Sequence, residues 1–500
     1  MSKAIPIMIQ GTHSDAGKSA IVTALCRIFS QDGYVTAPFK SQNMALNSYI
    51  TVDGKEIGRA QGVQAEAAGV TATTDMNPIL IKPTGNYESQ IVVHGQVYKN
   101  MKAGEYRKSF YEQGIKLIEE SYKRLEDTFE RIVIEGAGSP AEINLNDREL
   151  VNMRVARITN SPVILVGDIE KGGVFASLVG TLQLLEREDH QRVIGVIINK
   201  FRGDVSLLEP GLSWFEEYSG VPVLGVVPYI DNLMIEAEDS VVLSQYTSKA
   251  DASKEIDIAV IRYPFISNFT DIDPFFEESD CHVRFVKNPE ELGNPDIVIL
   301  PGSKNTIEDM LFLYNSGLVN RLLDLSQKGK FIFGICGGYQ MLGSTIEDQM
   351  GMESSLQKTD GLGIIPMKTS IRTKKTTTLS EGIVTYKEME IPVTGYEIHM
   401  GESDYEEACE SFIRIKGSSD GFMSKDGKVI GTYFHGIFHN DLLREEFLND
   451  VRVSKGLNPI IDRAAFSTKR EEAFDRLAKV VRENIKLDEI YKKMSEYQKA

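Results

Sequence analysis

Short runs of apolar, largely β-branched residues recur along the first half of the chain, separated by segments whose apolar positions fall at helical spacing. The runs Ala4–Gln10, Tyr34–Lys40, Arg131–Ile134, Pro162–Val166, Val193–Ile198 and Val221–Val227 predict buried strands. A strand covered on both faces reads as a nearly continuous apolar stretch rather than as an alternation. Strands alternating with amphipathic helices predict an α/β fold around a mostly parallel sheet. Residues Glu236–Lys254 are polar and irregular, as a linker would be. A second α/β pattern opens at Ile256 and runs to about His439. Beyond it Phe474, Leu477, Val480 and Val481 recur at three- and four-residue intervals, the signature of an amphipathic helix suited to packing. The expected organisation is one doubly wound domain over 1–235, a linker over 236–254, a second doubly wound domain over 255–445 and a helical tail over 446–500.

Size and charge narrow the function classes. A chain of 500 residues exceeds one ordinary core, in keeping with two domains. Apolar and charged fractions of 42% and 25% are those of a soluble globular protein. A net charge of −17 argues against nucleic-acid binding, which needs basic surface to meet phosphates. The apolar runs are too short to span a membrane, so no membrane partner is expected. The N-terminus lacks a signal-peptide pattern. The four cysteines, Cys26, Cys281, Cys336 and Cys409, have neither metal-ligand spacing nor a disulfide framework, which suits a reducing cytoplasm.

The first candidate chemistry is phosphate binding. Gly11-Thr-His-Ser-Asp-Ala-Gly-Lys18-Ser19 follows a predicted strand and precedes a helical run. Backbone N–H groups of such a loop and of the helix N-terminus cradle phosphates. Gly11, Thr12, Asp15, Ala16 and Gly17 form the cradle, Lys18 reaches the terminal phosphates and Ser19 ligates Mg²⁺. The loop has one residue more between Gly11 and Gly17 than the standard Walker A spacing. Other polar residues end predicted strands, where open α/β sheets bind ligands. Glu135 is the second Mg²⁺ candidate, Asp168 a substrate-site candidate, and Asn199 with Lys200 could touch the nucleotide base. Lys40, Gln42 and Asn43, after the second strand, are placed beside the phosphate loop as substrate contacts. Lys82 is a further substrate-facing candidate.

The second candidate chemistry is a thiol nucleophile. In Lys330-Phe-Ile-Phe-Gly-Ile-Cys-Gly-Gly-Tyr-Gln340 an apolar run drives into Gly-x-Cys-Gly-Gly and a helix-compatible segment follows. That is the composition of a nucleophile elbow, with small residues flanking a tight turn and the thiol at a helix N-terminus. A thiol needs a base or a positive environment to act as a thiolate, and His435, after the strand-like run Val429–Phe434, is the candidate. Backbone N–H groups at Gly302 and Gly337 are candidates for an oxyanion hole.

These residues carry a resemblance. Gly334-Ile-Cys-Gly-Gly-Tyr-Gln340, Leu300-Pro-Gly-Ser303 and Tyr433-Phe-His435-Gly resemble the triad-type, class I glutamine amidotransferase domain. The loop Gly11–Ser19 with its extra residue, together with Glu135-Gly-Ala-Gly, resembles dethiobiotin synthetase and its P-loop NTPase-like relatives. Both domains in this order resemble the cobyrinate-amidating family. The strings Gln10–Ser19, Phe39-Lys-Ser-Gln-Asn-Met44, Gly167-Asp-Ile-Glu-Lys-Gly-Gly-Val-Phe-Ala176 and Thr394-Gly-Tyr-Glu-Ile-His-Met-Gly401 are similar to one branch of it. That branch amidates the b, d, e and g carboxylates of adenosylcobyrinic acid a,c-diamide. The resemblance implies ATP and Mg²⁺ at the first site, glutamine at the second and a corrinoid substrate. It also implies attack of Cys336 on the glutamine amide and protonation of the departing ammonia by His435.

Three alternatives stand beside this reading. The branch that makes cobyrinic acid a,c-diamide performs the same chemistry on other carboxylates. A dethiobiotin-synthetase-like ligase would carboxylate rather than amidate. A ParA-like ATPase could carry an inactive amidotransferase domain as a binding module. The last is kept open by one departure: triad amidotransferases usually carry Glu two positions after the catalytic His, and here that position is Ile437. His399, Glu402 and His439 are the candidates to orient His435 instead.

Overall fold

The computed structural model describes residues 3–85, 88–231, 243 and 246–499. By its internal contacts the chain forms two units. One gathers Met1–Ala45, Lys55–Glu238 and Arg470–Ala500; the other gathers Leu46–Gly54 and Asp239–Lys469. Of the expected linker, residues 236–242 and 244–245 lie outside the described residues.

The first unit is built on a six-stranded, wholly parallel sheet. In spatial order its strands are Val223–Pro228, Val193–Phe201, Val163–Asp168, Ile5–Gly11, Arg131–Glu135 and Thr36–Phe39. Each of the six apolar runs is one of these strands. Their residues are almost entirely buried because helices cover both faces, which is why the runs lack polar alternation. The strands Ile5–Gly11, Arg131–Glu135 and Val163–Asp168 lie side by side. Their carboxyl ends therefore bring Gly11, Glu135 and Asp168 to one edge.

A second sheet in this unit was not expected from the sequence. Gln42–Met44 pairs in parallel with Ile79–Gly85, which continues antiparallel into Glu88–Val93 and Gln96–Lys102. Within the same unit Lys82 and Glu56 form a buried ion pair at 2.6 Å. Removing one member of such a pair strands a charge in the interior, at a cost of about 3–5 kcal/mol.

The expected tail divides between the units. The helix Asp441–Ser454 belongs to the second, whereas Arg470–Ala500 belongs to the first. The helix Phe466–Asn484 buries Phe474, Leu477 and Val481, as its periodicity predicts. Leu477, Ala478, Val481, Ile490 and Met494 join the core that holds Ile7, Ile21, Leu25 and Phe29. Arg27 braces this packing through Asp475 at 2.8 Å and Glu471 at 2.9 Å.

The second unit repeats the doubly wound plan. Its strands run in the order Cys281–Val286, Ile256–Ile261, Ile297–Leu300, Phe331–Ile335, Val429–Thr432 and Phe422–Met423, and only the last pairs antiparallel. A long hairpin stands apart from this sheet, Met367–Tyr386 against Met389–Tyr405. Its two-residue turn, Lys387–Glu388, has φ of 46° and 68°. Two successive positive φ values give the turn the twist that matches a right-handed hairpin. The expected strand Val429–Phe434 is broken in two. Val429–Thr432 stays in the parallel sheet, and Phe434–His435 crosses to pair with Tyr396–Glu397 of the hairpin.

Candidate active sites

The phosphate loop links the strand Ile5–Gly11 to the helix Lys18–Gln31. Gly17 caps that helix with φ 95°, and a Cβ there would lie 2.0 Å from Nδ2 of Asn199, so only glycine fits. Asp15 also has positive φ, 60°. Asn199 donates to the carbonyl of Ala16 at 3.0 Å, and Lys200 donates to the carbonyl of Asp15 at 2.7 Å. These two residues, read as contacts to the base, hold the loop's own backbone. Lys200 also pairs with Asp168 at 2.9 Å, and the other Asp168 oxygen accepts from the Glu170 N–H at 2.8 Å.

Lys18 lies along the loop, with Nζ 3.2 Å from the carbonyl of His13 and 3.3 Å from that of Gly138. Ser19 donates to Oε1 of Glu135 at 2.8 Å, and Lys40 meets the same oxygen at 2.9 Å. Gln64 donates to the other oxygen, Oε2, at 2.5 Å. The two Mg²⁺ candidates are thus in contact, with Lys40 as the buried counter-charge. Asn152 sets the loop after Glu135 by bonding both the N–H and the carbonyl of Ala137. Thr12 is buried, and its hydroxyl has no partner among the described residues.

Of the residues placed beside this loop, Lys40 alone of the three after the second strand bonds within it. Gln42 accepts from the Tyr106 hydroxyl at 2.5 Å, and Asn43 donates to Gln61 at 3.0 Å, because both lie on the second sheet. Lys82 is engaged with Glu56. Gln64 and Asn152 escaped the sequence reading, since polar residues on a helix and in a loop carry no local sign of a tertiary partner.

The thiol site lies in the second unit. Cys336 sits between the strand Phe331–Ile335 and the helix Gly337–Leu342 with φ 51° and ψ −108°, a strained conformation for a residue other than glycine. Its flanks show why the turn needs small residues. A Cβ on Gly338 would lie 1.9 Å from the carbonyl oxygen of Leu300, and one on Gly337 would lie 2.8 Å from the amide of Ser303. The elbow is pressed against the loop Pro301–Lys304, and a Cβ on Gly302 would come within 3.2 Å of Cε1 of His435. Gly337 thus adjoins Cys336 and Gly302 adjoins His435. Asp309 fixes that loop by accepting from Ser303 at 2.5 Å and from the Phe265 N–H at 2.9 Å. Burial pushes the Asp309 carboxyl up to about 7.

His435 is fully buried, and its Nδ1 lies 2.7 Å from Oδ2 of Asp271. The second oxygen of Asp271 accepts from the Gly436 N–H at 2.7 Å, so the carboxylate is held at both ends. The other ring nitrogen, Nε2, has no hydrogen-bond partner among the described residues. Tyr396 stacks on the imidazole at 5.0 Å between centroids and 14° between planes, as its position opposite His435 in the strand register requires. Burial alone would lower the imidazole pKa. The charge and hydrogen bond of Asp271, aided by Cys336, outweigh it and raise the pKa to about 10.

Asp271 is the orienting carboxylate. The candidates read from the sequence are engaged elsewhere. His399 bonds the Gly401 carbonyl at 2.7 Å, Glu402 pairs with Arg372 at 2.9 Å, and His439 meets the Thr270 carbonyl at 3.2 Å. One signal could have found it. Asp271 lies in the loop after Ile256–Ile261, at the carboxyl edge of a parallel sheet where functional groups collect. Cys26 and Cys281 are ordinary buried thiols whose pKa burial raises.

A phosphate loop in one unit and a Cys–His–Asp triad on a nucleophile elbow in the other define a nucleotide-dependent glutamine amidotransferase. Residues 7–242 match the model of the CobQ/CobB/MinD/ParA nucleotide binding domain, and residues 257–443 match that of the CobB/CobQ-like glutamine amidotransferase domain. Over the whole chain there is 62% identity to a cobyric acid synthase of Geobacillus sp. strain WCH70, covering 99% of that protein. Identity to the cobyric acid synthase of Anoxybacillus flavithermus is 60%, over the same shares of the two chains. With that of Clostridium botulinum strain ATCC 19397 it is 50%, over 97% of this chain and 98% of that one. The chain belongs to the cobyric acid synthase family, and it is an ATP-dependent, glutamine-hydrolysing amide ligase.

Proposed function

We propose that this chain amidates the b, d, e and g carboxylates of adenosylcobyrinic acid a,c-diamide to give cobyric acid, in the cytoplasmic stage of cobalamin biosynthesis. The observation that carries the reading is the intact Cys336–His435–Asp271 triad in a chain that also holds the phosphate loop. An amidotransferase unit kept only for binding would have no need of a strained nucleophile and a doubly anchored orienting carboxylate.

A carboxylate resists direct attack by ammonia because its leaving group would be an oxide ion. Transfer of the γ-phosphoryl group of ATP to a corrinoid carboxylate oxygen makes an acyl phosphate, whose leaving group is phosphate. The amides of Gly11–Gly17 and Lys18 hold the nucleotide phosphates, and Lys40 offsets charge on the transferring group. Ser19 and Glu135 fit Mg²⁺. They are hard oxygen donors already in contact, of the kind Mg²⁺ takes alongside phosphates and water. Magnesium bound there would neutralise phosphate charge.

In the other unit the Cys336 thiolate adds to the glutamine amide carbon, with the amides at Gly302 and Gly337 receiving the oxyanion. The His435 imidazolium, held by Asp271, donates its Nε2 proton to the departing nitrogen, and ammonia leaves. Neutral His435 then takes a proton from water, whose hydroxide adds to the thioester carbon; glutamate forms, the Cys336 thiolate is expelled, and the thiolate–imidazolium pair is restored. Ammonia attacks the acyl phosphate and expels phosphate, completing the amide.

The test is incubation with ATP, glutamine and the a,c-diamide, followed by mass spectrometry of the corrinoid. Four successive carboxylate-to-amide conversions, each consuming ATP and glutamine, are expected. Turnover of cobyrinic acid at its a and c positions alone would place the chain in the sister branch and overturn the reading.

A further inference from the structure

The chain leaves the first unit after Ala45, builds Leu46–Gly54 into the second, and returns at Lys55. This strap starts one residue beyond the strand Gln42–Met44, which follows Lys40 of the phosphate site. Several of its contacts fall on the supports of the triad. Asn47 Oδ1 accepts from the Asn268 N–H at 2.8 Å, and the Ser48 N–H donates to Asn268 Oδ1 at 2.8 Å. All three residues are buried. Asn268 has φ 50° and ψ 37°, a left-handed conformation that a residue with a side chain holds only when its surroundings fix it. The reciprocal pair supplies that fixing. Asn268 caps the short turn Phe269–Ile272, and that turn carries Asp271.

A second set of contacts reaches the same chemistry from another side. Ile50 packs with Tyr396 and Ile398. Tyr396 is the ring stacked on His435, and the Ile398 carbonyl accepts from the Cys336 thiol at 3.6 Å. A single excursion of nine residues thus touches the supports of Asp271, His435 and Cys336.

We propose that Asn47 is a positioning residue for glutamine hydrolysis, holding Asn268 and through it the turn that sets Asp271 against His435. The inference rests on the assignment of glutaminase chemistry to Cys336 and His435.

The experiment compares full-length wild type with Asn47→Ala, Asn47→Asp and Ile50→Ala. It measures glutamine hydrolysis with and without ATP and corrinoid, ammonia-dependent amidation, and the alkaline limb of the glutaminase pH profile. Asn47→Ala should lower kcat for glutamine about tenfold or more with KM within about twofold, and leave ammonia-dependent amidation within about twofold. The alkaline limb should move to lower pH, because a loosened Asp271 supports the imidazolium less. Asn47→Asp keeps the acceptor oxygen and should recover most of kcat. Ile50→Ala should reproduce the loss by the second route, which keeps the test decisive if Asn47→Ala fails to fold. Unchanged glutaminase in the folded variants, or a parallel fall of both activities with no pH shift, overturns the proposal. A Cys336→Ala enzyme that still hydrolyses glutamine would instead remove the assignment beneath it.

Discussion

Asp271 holds Nδ1 of His435 at 2.7 Å across 164 positions of sequence, the contact expected of a Glu two residues after the histidine in triad amidotransferases. With Ile437 buried at that position, the negative charge comes from a loop on the opposite flank of the parallel sheet's edge rather than from the histidine's own turn. Asp271→Asn keeps the shape and removes the charge. Burial of the imidazole then acts unopposed by the carboxylate, so its pKa falls from about 10. A raised histidine pKa means the protonated form is favoured at every pH below that value. Its loss should therefore appear as an alkaline limb displaced to lower pH. Glutaminase kcat should drop about a hundredfold or more, with ammonia-dependent amidation intact, as steady-state assays across pH would record.

Cys336→Ala should abolish glutamine-dependent amidation and leave the ammonia-dependent reaction in place. On the proposed mechanism the thiol serves only to release ammonia from glutamine, and an ammonium salt supplies that ammonia directly. Assays with glutamine or an ammonium salt as nitrogen source check this, and loss of both reactions in a folded variant would refute the division of labour.

Lys18→Ala should remove amidation with either nitrogen source by at least about a hundredfold, because phosphoryl transfer depends on charge stabilisation at the phosphates. Glutamine hydrolysis should persist. Ammonia-dependent synthesis retained in this variant would sink the role given to the loop.

Gly338→Ala tests the elbow. The added methyl would meet the Leu300 carbonyl at 1.9 Å, a backbone contact that no rotamer change relieves. A cost of about 1–3 kcal/mol or more is expected from such overpacking. Thermal unfolding should show a lowered Tm, and glutaminase activity should be lost in whatever fraction folds.

Asp280 anchors the C-terminal side of the second unit through Arg463, which binds both its oxygens at 2.8 and 2.9 Å, and through Arg452 at 2.6 Å. Burial works to raise its pKa, but the two guanidinium groups hold it at about 2, below the ordinary 3.8. A depressed carboxylate contributes its stability above pH 3.8 and loses it as pH falls toward 2. Asp280→Asn should lower Tm at neutral pH by about 2–4 °C, about 1 kcal/mol after allowance for solvent screening. The gap from wild type should narrow as the medium is acidified below pH 3.8.

The parallel sheet of the first unit was legible because each strand is buried on both faces and leaves a continuous apolar run, as in Val163–Asp168. The phosphate loop and the elbow were legible because their glycines answer to local backbone geometry. The hairpin Met367–Tyr386 with Met389–Tyr405 was not. Its first strand is rich in Thr and Lys, and its turn is Lys387–Glu388 rather than a glycine or asparagine pair. Asp271 was missed for a different reason. A carboxylate's partner is fixed by which strands lie side by side, and nothing within its own segment records that order. Lys40 could be placed at the phosphate site because it ends a strand, whereas Gln42 and Asn43 were drawn away by a sheet the pattern did not reveal.

The last helices of the chain complete the core of its first unit, and this fixes an order of events during synthesis. Leu477, Ala478, Val481, Ile490 and Met494 cover Ile21, Leu25 and Phe29 of the helix that follows the phosphate loop. During synthesis the last residues of the second unit are therefore made before the residues that close the first. A chain lacking Arg470–Ala500 would leave the apolar side chains of Ile21, Leu25 and Phe29 without this cover, while the residues of the second unit would all be present.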